Sequence, residues 1–161
     1  AQRTAQRVRS IGFALTSCTV PAKGSPTFSL EENEMEFGVG IHGEPGIRRE
    51  PLTDADTLAA RMADQLLSAL DLTDKQAQVA ILVNGLGGTP LQELYLLNHS
   101  LRQALAQTHP GIQVVFSLVG NYMTSIDMAG ASISICRVPD SPVPSPSGAY
   151  RPPASSSILT I

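Results

Sequence analysis

The segment Gly38–Gly46 holds the residues most able to do chemistry, because it places His42 among four glycines in the order Gly-Val-Gly-Ile-His-Gly-Glu-Pro-Gly. A glycine inside a strand costs roughly 0.5–1 kcal/mol of stability relative to alanine, so this cluster needs a reason. If a strand runs from Met35 to His42, alternation places Glu36, two glycines and the imidazole on one face. Space beside an imidazole at the end of a strand suits a small-molecule pocket. A turn capped by His42 and stabilised by Glu36 or Glu44 explains the same residues, and residue types alone leave both interpretations open.

Two other motifs could meet a phosphate group. The run Asn84–Gly88, Asn-Gly-Leu-Gly-Gly, resembles a phosphate-cradling turn, but it lacks the spacing of dinucleotide-binding and P-loop motifs. We therefore interpret it as a tight strand-to-helix turn. Arg48 and Arg49 could contact a phosphate or a partner subunit, although two arginines in a loop are more often solvated.

The remaining polar candidates show no metal-binding pattern. His99 and His109 are expected at the surface, and Asp127 is either a turn cap or a ligand contact. Cys18 and Cys136 lie far apart in apolar, strand-like stretches, outside any metal or redox spacing. We predict no metal site, and we expect buried, reduced thiols in a cytoplasmic protein.

The composition is that of an ordinary soluble, globular chain. Hydrophobic residues make up 42% and charged residues 16% of its 161 residues. A net charge of −3 argues against a nucleic-acid partner, whose binding surface would normally be basic. Apolar runs such as Val79–Val83 and Ile112–Val119 are far shorter than the roughly 20 residues of a membrane-spanning helix, so we expect no membrane contact.

Hydrophobic patterning predicts five strands. We expect them at Ile11–Cys18, Met35–His42, Val79–Val83, Val114–Gly120 and Ser132–Val138, and Thr27–Leu30 is a candidate for a short extra strand. Pro45, Gly46 and Pro51 predict a loop over Gly43–Leu52.

Two long helices are also expected. The first runs from about Asp54 to Leu70, with Thr53 as its N-cap and an apolar residue at every fourth position. The second begins after Thr89, which would cap it in a capping box with Gln92, and ends at His109–Gly111. The residues predicted to line its buried side are Leu91, Leu94, Tyr95, Leu101 and Leu105.

This order of elements predicts an α+β fold. Two successive crossovers of the same hand would place both long helices on one face of a mixed sheet of about five strands, forming a two-layer sandwich. Residues 1–138 would form this domain. Residues 139–161, rich in proline and serine, would form an extended tail.

The segment Gly38–Ile47 resembles the signature of the substrate-binding subunit of dihydroxyacetone (glycerone) kinases, in the C-terminal half of that subunit. Four further segments resemble the same family in the same order, namely Ile11–Pro21, Glu34–Phe37, Val83–Leu91 and Tyr122–Met128. The resemblance implies that His42 is the catalytic, substrate-binding residue and forms a covalent hemiaminal with the keto carbon of dihydroxyacetone. A neutral imidazole can add to a carbonyl in this way, whereas glycerol offers no carbonyl to attack.

The resemblance also implies partners. A preceding domain would complete the substrate site, and a nucleotide-binding subunit or domain would carry ATP or ADP with Mg, so that this domain binds no cofactor itself. The family pairs its substrate subunits, which implies a homodimer. The alternative function is that of a non-catalytic paralogue, which binds the ketose and acts as a sensor or co-regulator.

Overall fold

A computed structural model describes residues 2–22, 24–26, 28–40, 46–73 and 75–139. Six strands form one mixed sheet in the order β3-β2-β1-β6-β4-β5. The strands are β1 (Val8–Ala14), β2 (Glu34–Phe37), β3 (Arg48–Pro51), β4 (Ala77–Gly85), β5 (Ile112–Gly120) and β6 (Gly130–Arg137). Strands β4 and β5 pair in parallel, and the other pairs within the described sheet are antiparallel.

The helices are a short α1 (Gln2–Ala5) and two long ones, α2 (Ala55–Ala69) and α3 (Leu91–Thr108). Helices α2 and α3 pack against each other and against the same face of the sheet, and their leucines share one hydrophobic core with alternate residues of the central strands. Strand β4 is an example: its alternate residues Ala77, Val79, Ile81 and Val83 face the helices and are buried in that core. The predicted α+β two-layer sandwich is confirmed, with six strands in place of about five.

The additional strand is β3, which lies in the segment predicted to be a loop. It forms the edge of the sheet and pairs with β2 in the register Met35↔Glu50 and Phe37↔Arg48. Glu50 accepts hydrogen bonds from Arg48 (Nε to Oε2, 2.6 Å) and from Arg61 of α2, and so ties the edge to the helix layer. Pro51 is among the residues that predict a loop, but a proline is also tolerated at the end of an edge strand.

Each of the five predicted strands has bounds that differ from the predicted ones, and the largest differences are in β1 and β2. Strand β1 begins at Val8 and ends at Ala14, so Cys18 lies beyond it. Strand β2 ends at Phe37, since Gly38 has φ +80° and turns the chain out of the sheet. Residues 28–30 form no strand.

The N-caps were also assigned wrongly. The carboxylate of Asp54, not the hydroxyl of Thr53, caps α2 by accepting a hydrogen bond from the backbone N–H of Thr57 (2.9 Å). At α3, Pro90 occupies the N-cap position without a side-chain cap, because the Thr89 hydroxyl instead bonds the backbone of Gly130. The predicted capping box is therefore absent from α3.

The buried side of α3 is rotated from the predicted one. Leu94, Leu101 and Leu105 are buried as expected, but Leu91 and Tyr95 are exposed. The other buried residues of the helix are Leu97, Ser100 and Ala104. The buried residues of α3 therefore recur with the helical period starting at Leu94, and Leu91 lies outside this buried side.

His109 lies in the interior, so its predicted surface position is wrong, while His99 is exposed as expected. His109 is 7% exposed. Its Nε2 is 2.7 Å from Oδ1 of Asp64 on α2, and its Nδ1 is 3.3 Å from the carbonyl oxygen of Thr73. The side chain therefore joins the end of α3 to α2 and to the turn that follows α2.

Other expectations have mixed outcomes. Cys18 is buried, Cys136 is half-buried, and no disulfide joins them. Within the described ranges, no helix has the length and apolar character needed to cross a membrane. Most of the predicted tail, residues 140–161, lies outside the described residues, so the domain boundary stays a prediction.

The assignment of the α2 cap can be tested by comparing Asp54→Ala with Thr53→Ala. Hydrogen bonds from Thr57 hold the pKa of Asp54 below its ordinary value, so the cap stabilises the fold above the unfolded pKa and is lost as pH falls through the folded one. At pH 7, Asp54→Ala should lower the melting temperature clearly more than Thr53→Ala. The deficit of Asp54→Ala should shrink below about pH 4. Equal effects of the two substitutions at pH 7 would contradict the assignment.

The interior position of His109, the C-cap residue of α3, can be tested with His99 within α3 as the matched control. His109→Ala removes a buried, hydrogen-bonded ring and should cost about 1–3 kcal/mol of unfolding free energy in denaturant titrations. His99→Ala, at an exposed site, should change that free energy by less than about 0.5 kcal/mol. If His109→Ala left the free energy of unfolding unchanged, the contact between His109 and Asp64 would not stabilise the fold.

Candidate functional site

His42 belongs to the segment 41–45, which lies outside the described residues, so the structure defines the two ends of this segment. The residues that follow the segment pack beside β2. The backbone N–H of Gly46 donates to Oε1 of Glu36 (2.7 Å), and that of Ile47 donates to the carbonyl oxygen of Phe37 (2.7 Å). We call residues 36–38 together with 46–47 the loop base.

Two glycines make the close contacts of the loop base feasible. A Cβ on Gly46 would lie 2.5 Å from Cγ of Glu36 and 2.7 Å from the carbonyl oxygen of Phe37. A Cβ on Gly38 would lie 2.5 Å from Cγ1 of Ile47, and its positive φ also favours glycine. The strand alternation predicted through Gly38 and Gly40 therefore does not exist, because β2 ends at Phe37, and Gly38 and Gly46 instead permit close packing within the loop base.

Glu36 is the charged residue of the loop base and is 5% exposed. Oε1 accepts from Gly46, whereas Oε2 is buried and has no hydrogen-bond partner among the described residues. The nearest cationic atom, Nε of Arg49, is 3.9 Å from Oε2, which is too long for a hydrogen bond. A buried carboxylate with one unpaired oxygen is costly and calls for an explanation.

A groove of about 420 Å³ lies next to the loop base on the face of the sheet opposite the helices. Gly38, Val39, Gly40 and Ile47 form one side, and Met123 also contributes. The floor consists of small residues from β1 and β6, namely Ser10, Gly12, Ser132 and Ser134. The hydroxyls of Ser10 and Ser134 are hydrogen-bonded to each other (2.6 Å), while Ile11 also lines the groove, whose surface is mainly apolar.

Asn84 fixes the loop that follows β5. Its Oδ1 accepts from the backbone N–H groups of Tyr122 and Met123 (both 2.8 Å). Its Nδ2 donates to the carbonyl oxygen of Met123 (2.8 Å) and to Oγ of Ser132 (3.3 Å). A fully buried amide thus holds Met123 at the rim of the groove.

The run Asn84–Gly88 packs against the same loop. A Cβ on Gly87 would lie 2.1 Å from the carbonyl oxygen of Ile126, and one on Gly88 would lie 2.5 Å from that of Asp127. These glycines admit a neighbouring backbone, which supports the interpretation as a tight turn. Asp127 itself accepts from the backbone N–H of Thr19 (2.8 Å), so its carboxylate serves as a loop cap.

The arginines beside the loop base have protein partners. Arg48 pairs with Glu50 and lies over the ring of Phe37, with its guanidinium carbon 5.6 Å from the ring centre. Arg49 faces Glu36. Both side chains remain about half exposed, at 52% and 49%.

Sequence reasoning missed Asn84 as the anchor of a loop and the serines as a groove floor. The sequence signal for Asn84 was a polar residue at the end of an otherwise apolar strand. The local pattern does not predict its hydrogen-bond partner Tyr122, which lies 38 residues further along the chain. Within the described part of the chain, no group of three His, Cys, Asp or Glu side chains could hold a metal ion.

Comparisons with known proteins identify the family. The Dak1 domain matches residues 1–145. The chain is 41% identical over 140 residues to the dihydroxyacetone-binding subunit DhaK of a PTS-dependent dihydroxyacetone kinase from Lactococcus lactis, covering 87% of this chain and 41% of the relative.

Two solved structures are similar in fold. A dihydroxyacetone kinase operon co-activator, DhaQ, superposes with a TM-score of 0.79 at 35% identity, over 87% of this chain and 42% of the other. The dihydroxyacetone kinase of C. freundii gives a TM-score of 0.66 at 29% identity, over 86% of this chain and 24% of the other. The chain thus spans about two fifths of the DhaK and DhaQ relatives, and it belongs to the Dak1 domain family of dihydroxyacetone kinases.

Proposed function

We propose that this chain is the substrate-binding part of a dihydroxyacetone kinase, which holds dihydroxyacetone as a covalent hemiaminal on His42 while a terminal hydroxyl is phosphorylated. The observation that carries the proposal is the loop base. Within the family signature Gly38–Ile47, the chain returns to β2 directly after the segment with His42, through contacts that need Gly38 and Gly46. These contacts fix the point at which the loop rejoins the sheet, which supports a defined position for the loop.

The chemistry suits a neutral imidazole. The lone pair of one ring nitrogen forms a bond to the keto carbon while the carbonyl π bond breaks, and the resulting alkoxide takes up a proton as the other ring nitrogen releases one. The product is a hemiaminal with a neutral ring. Because glycerol has no carbonyl, this step selects the ketose and holds its terminal hydroxyl for attack on a phosphoryl group.

The groove beside the loop base is large enough to hold the proposed substrate. Its volume of about 420 Å³ is ample for a three-carbon ketose, and its floor offers hydroxyl groups rather than charges. The chain spans about two fifths of its DhaK relative. We therefore propose that a preceding domain completes the site, and that a nucleotide-binding subunit or domain supplies ATP or ADP with Mg in the cytoplasm. This domain would bind no cofactor itself.

The second candidate function is that of a ketose-binding co-regulator without phosphoryl transfer. It is favoured by the DhaQ co-activator, which is similar to this chain at 35% identity. Both functions use the same ketose-binding step. They differ in whether the protein, mixed with its nucleotide-binding partner and a phosphoryl donor, forms dihydroxyacetone phosphate.

We further propose a homodimer that uses the open face of the sheet. Phe116 and Leu118 of β5 point away from the helices and are 55% and 39% exposed. Leu82 of β4, the register partner of Leu118, is half-buried beside them. Strand β5 contains no charged residue, so two copies could meet there without burying a charge.

The dimer can be tested by light scattering on Phe116→Glu. A charge at the centre of this patch should convert a dimer of the wild-type protein to monomer, because it would be buried without a partner. Leu96→Glu, at an exposed position on the helix side, is the matched control and should leave the mass unchanged. A wild-type monomer at high concentration, or a dimer that survives Phe116→Glu, would contradict this interface.

The covalent step can be tested by native mass spectrometry of the full-length protein with dihydroxyacetone. Wild type should gain the mass of one dihydroxyacetone, since addition of the imidazole to the carbonyl releases no water. His42→Ala should lose the adduct, while its melting temperature should stay within a few degrees of wild type. His99→Ala, the exposed control, should keep the adduct. An adduct that persists in His42→Ala would contradict the assignment.

A further inference from the structure

The exposed apolar side chains of β5 continue into the loop that follows the strand. Phe116, Leu118 and Gly120 lie on the open face, since alternate residues of a strand point to the same side. A Cβ on Gly120 would lie 3.2 Å from Cε2 of Tyr122, so the tyrosine ring covers the end of the strand on that face. Met123, the next residue, lines the groove. We call residues 116, 118, 122 and 123 the β5 stripe.

The two loop residues of the β5 stripe are exposed but held in place. Tyr122 and Met123 are 55% and 45% exposed. Their backbone N–H groups both donate to Oδ1 of the buried Asn84 (2.8 Å). Further along the loop, Ile126 has a φ of +55°, which costs a β-branched residue roughly 1–2 kcal/mol, so packing imposes the loop conformation. A fixed loop loses little conformational entropy when a protein binds to it, which favours binding through its exposed side chains.

The composition of the β5 stripe narrows the identity of the partner. No charged residue occurs between Ile112 and Met123. In a contact between two identical copies related by a twofold axis, the same surface is used on both sides, so a charged residue would lie close to a like charge. The β5 stripe avoids this repulsion over its whole length, and tyrosine and methionine are enriched at protein interfaces. A second copy of this chain therefore fits the stripe.

We propose that the second copy in the homodimer contacts Tyr122 and Met123 as well as β5, so that the dimer interface reaches the groove. This inference rests on the homodimer of the proposed function and extends it. Because Met123 belongs both to the β5 stripe and to the rim of the groove, the second copy would close the groove on this side. The groove of a monomer would be open to water there.

Sedimentation velocity on the full-length protein tests the contact of Tyr122. Tyr122→Ala removes the ring and keeps the backbone bond to Asn84, so it should raise the dissociation constant of the dimer about tenfold or more. Tyr95→Ala is the matched control, because Tyr95 on α3 is also 55% exposed. This control should leave the constant within about twofold of wild type. Tyr122→Phe, which keeps the ring, should dimerise like wild type and guards against a misfolded alanine variant.

Methyl NMR with a soluble paramagnetic agent tests whether the interface reaches the groove. Met123 is exposed, whereas Met35, Met62 and Met128 are fully buried, so its ¹³C-methyl signal reports on the surface. The agent should relax this signal strongly in the monomeric Phe116→Glu variant. In the wild-type dimer most of that relaxation should be lost, because the second copy covers the side chain.

The outcomes separate this inference from the proposed homodimer. A wild type that stays monomeric would overturn both, and the covalent step at His42 is tested independently. If Phe116→Glu dissociates the dimer, but Tyr122→Ala behaves like Tyr95→Ala and Met123 stays accessible, the homodimer on β5 stands and its extension to the groove is overturned. If Met123 is already shielded in the Phe116→Glu monomer, the preceding domain covers the loop, and the inference is wrong.

Discussion

Helices α2 and α3 cover one face of the sheet and leave the opposite face open, and this constraint organises the rest of the structure. Residues that face the helices, such as Val79, Ile81 and Ile133, are fully or almost fully buried and have no access to a ligand. The groove, the loop base and the exposed side chains of β5 therefore all share the opposite face. On that face the strands present small and polar residues next to the loop base and larger apolar residues toward β5. This gradient suits a ligand site at one side and a protein contact at the other.

Close backbone contacts explain why so many glycines occur in the segments that resemble the family. At the loop base, Gly46 admits the side chain of Glu36, and in the turn after β4, Gly87 admits the carbonyl oxygen of Ile126. In both places a larger side chain would separate two chain segments that the site needs together. The glycines therefore build the surroundings of the candidate site by allowing neighbouring segments to approach.

The layer architecture could be predicted from sequence because it depends on local periodicity. The apolar spacing along α2 and the buried run of β4 both indicate one covered face, and the structure confirms it. The edge strand β3 could not be predicted, since its four residues, Arg-Arg-Glu-Pro, have no apolar pattern and are held by pairing with β2 and by Arg61. The inward position of His109 depends on Asp64, 45 residues earlier in the chain, and no local signal reports such a partner.

The central claim is that the nitrogen of His42 bonds to the keto carbon of a short ketose. The most direct test is an NMR measurement with dihydroxyacetone labelled with ¹³C at the keto position and protein labelled with ¹⁵N in its histidines. A hemiaminal predicts that the keto resonance moves into the range of tetrahedral carbon and shows one-bond coupling to a histidine ring nitrogen, and that both signals vanish in His42→Ala. A bound ketose whose labelled carbon stays in the carbonyl range, or couples to nitrogen in His42→Ala, would contradict the account.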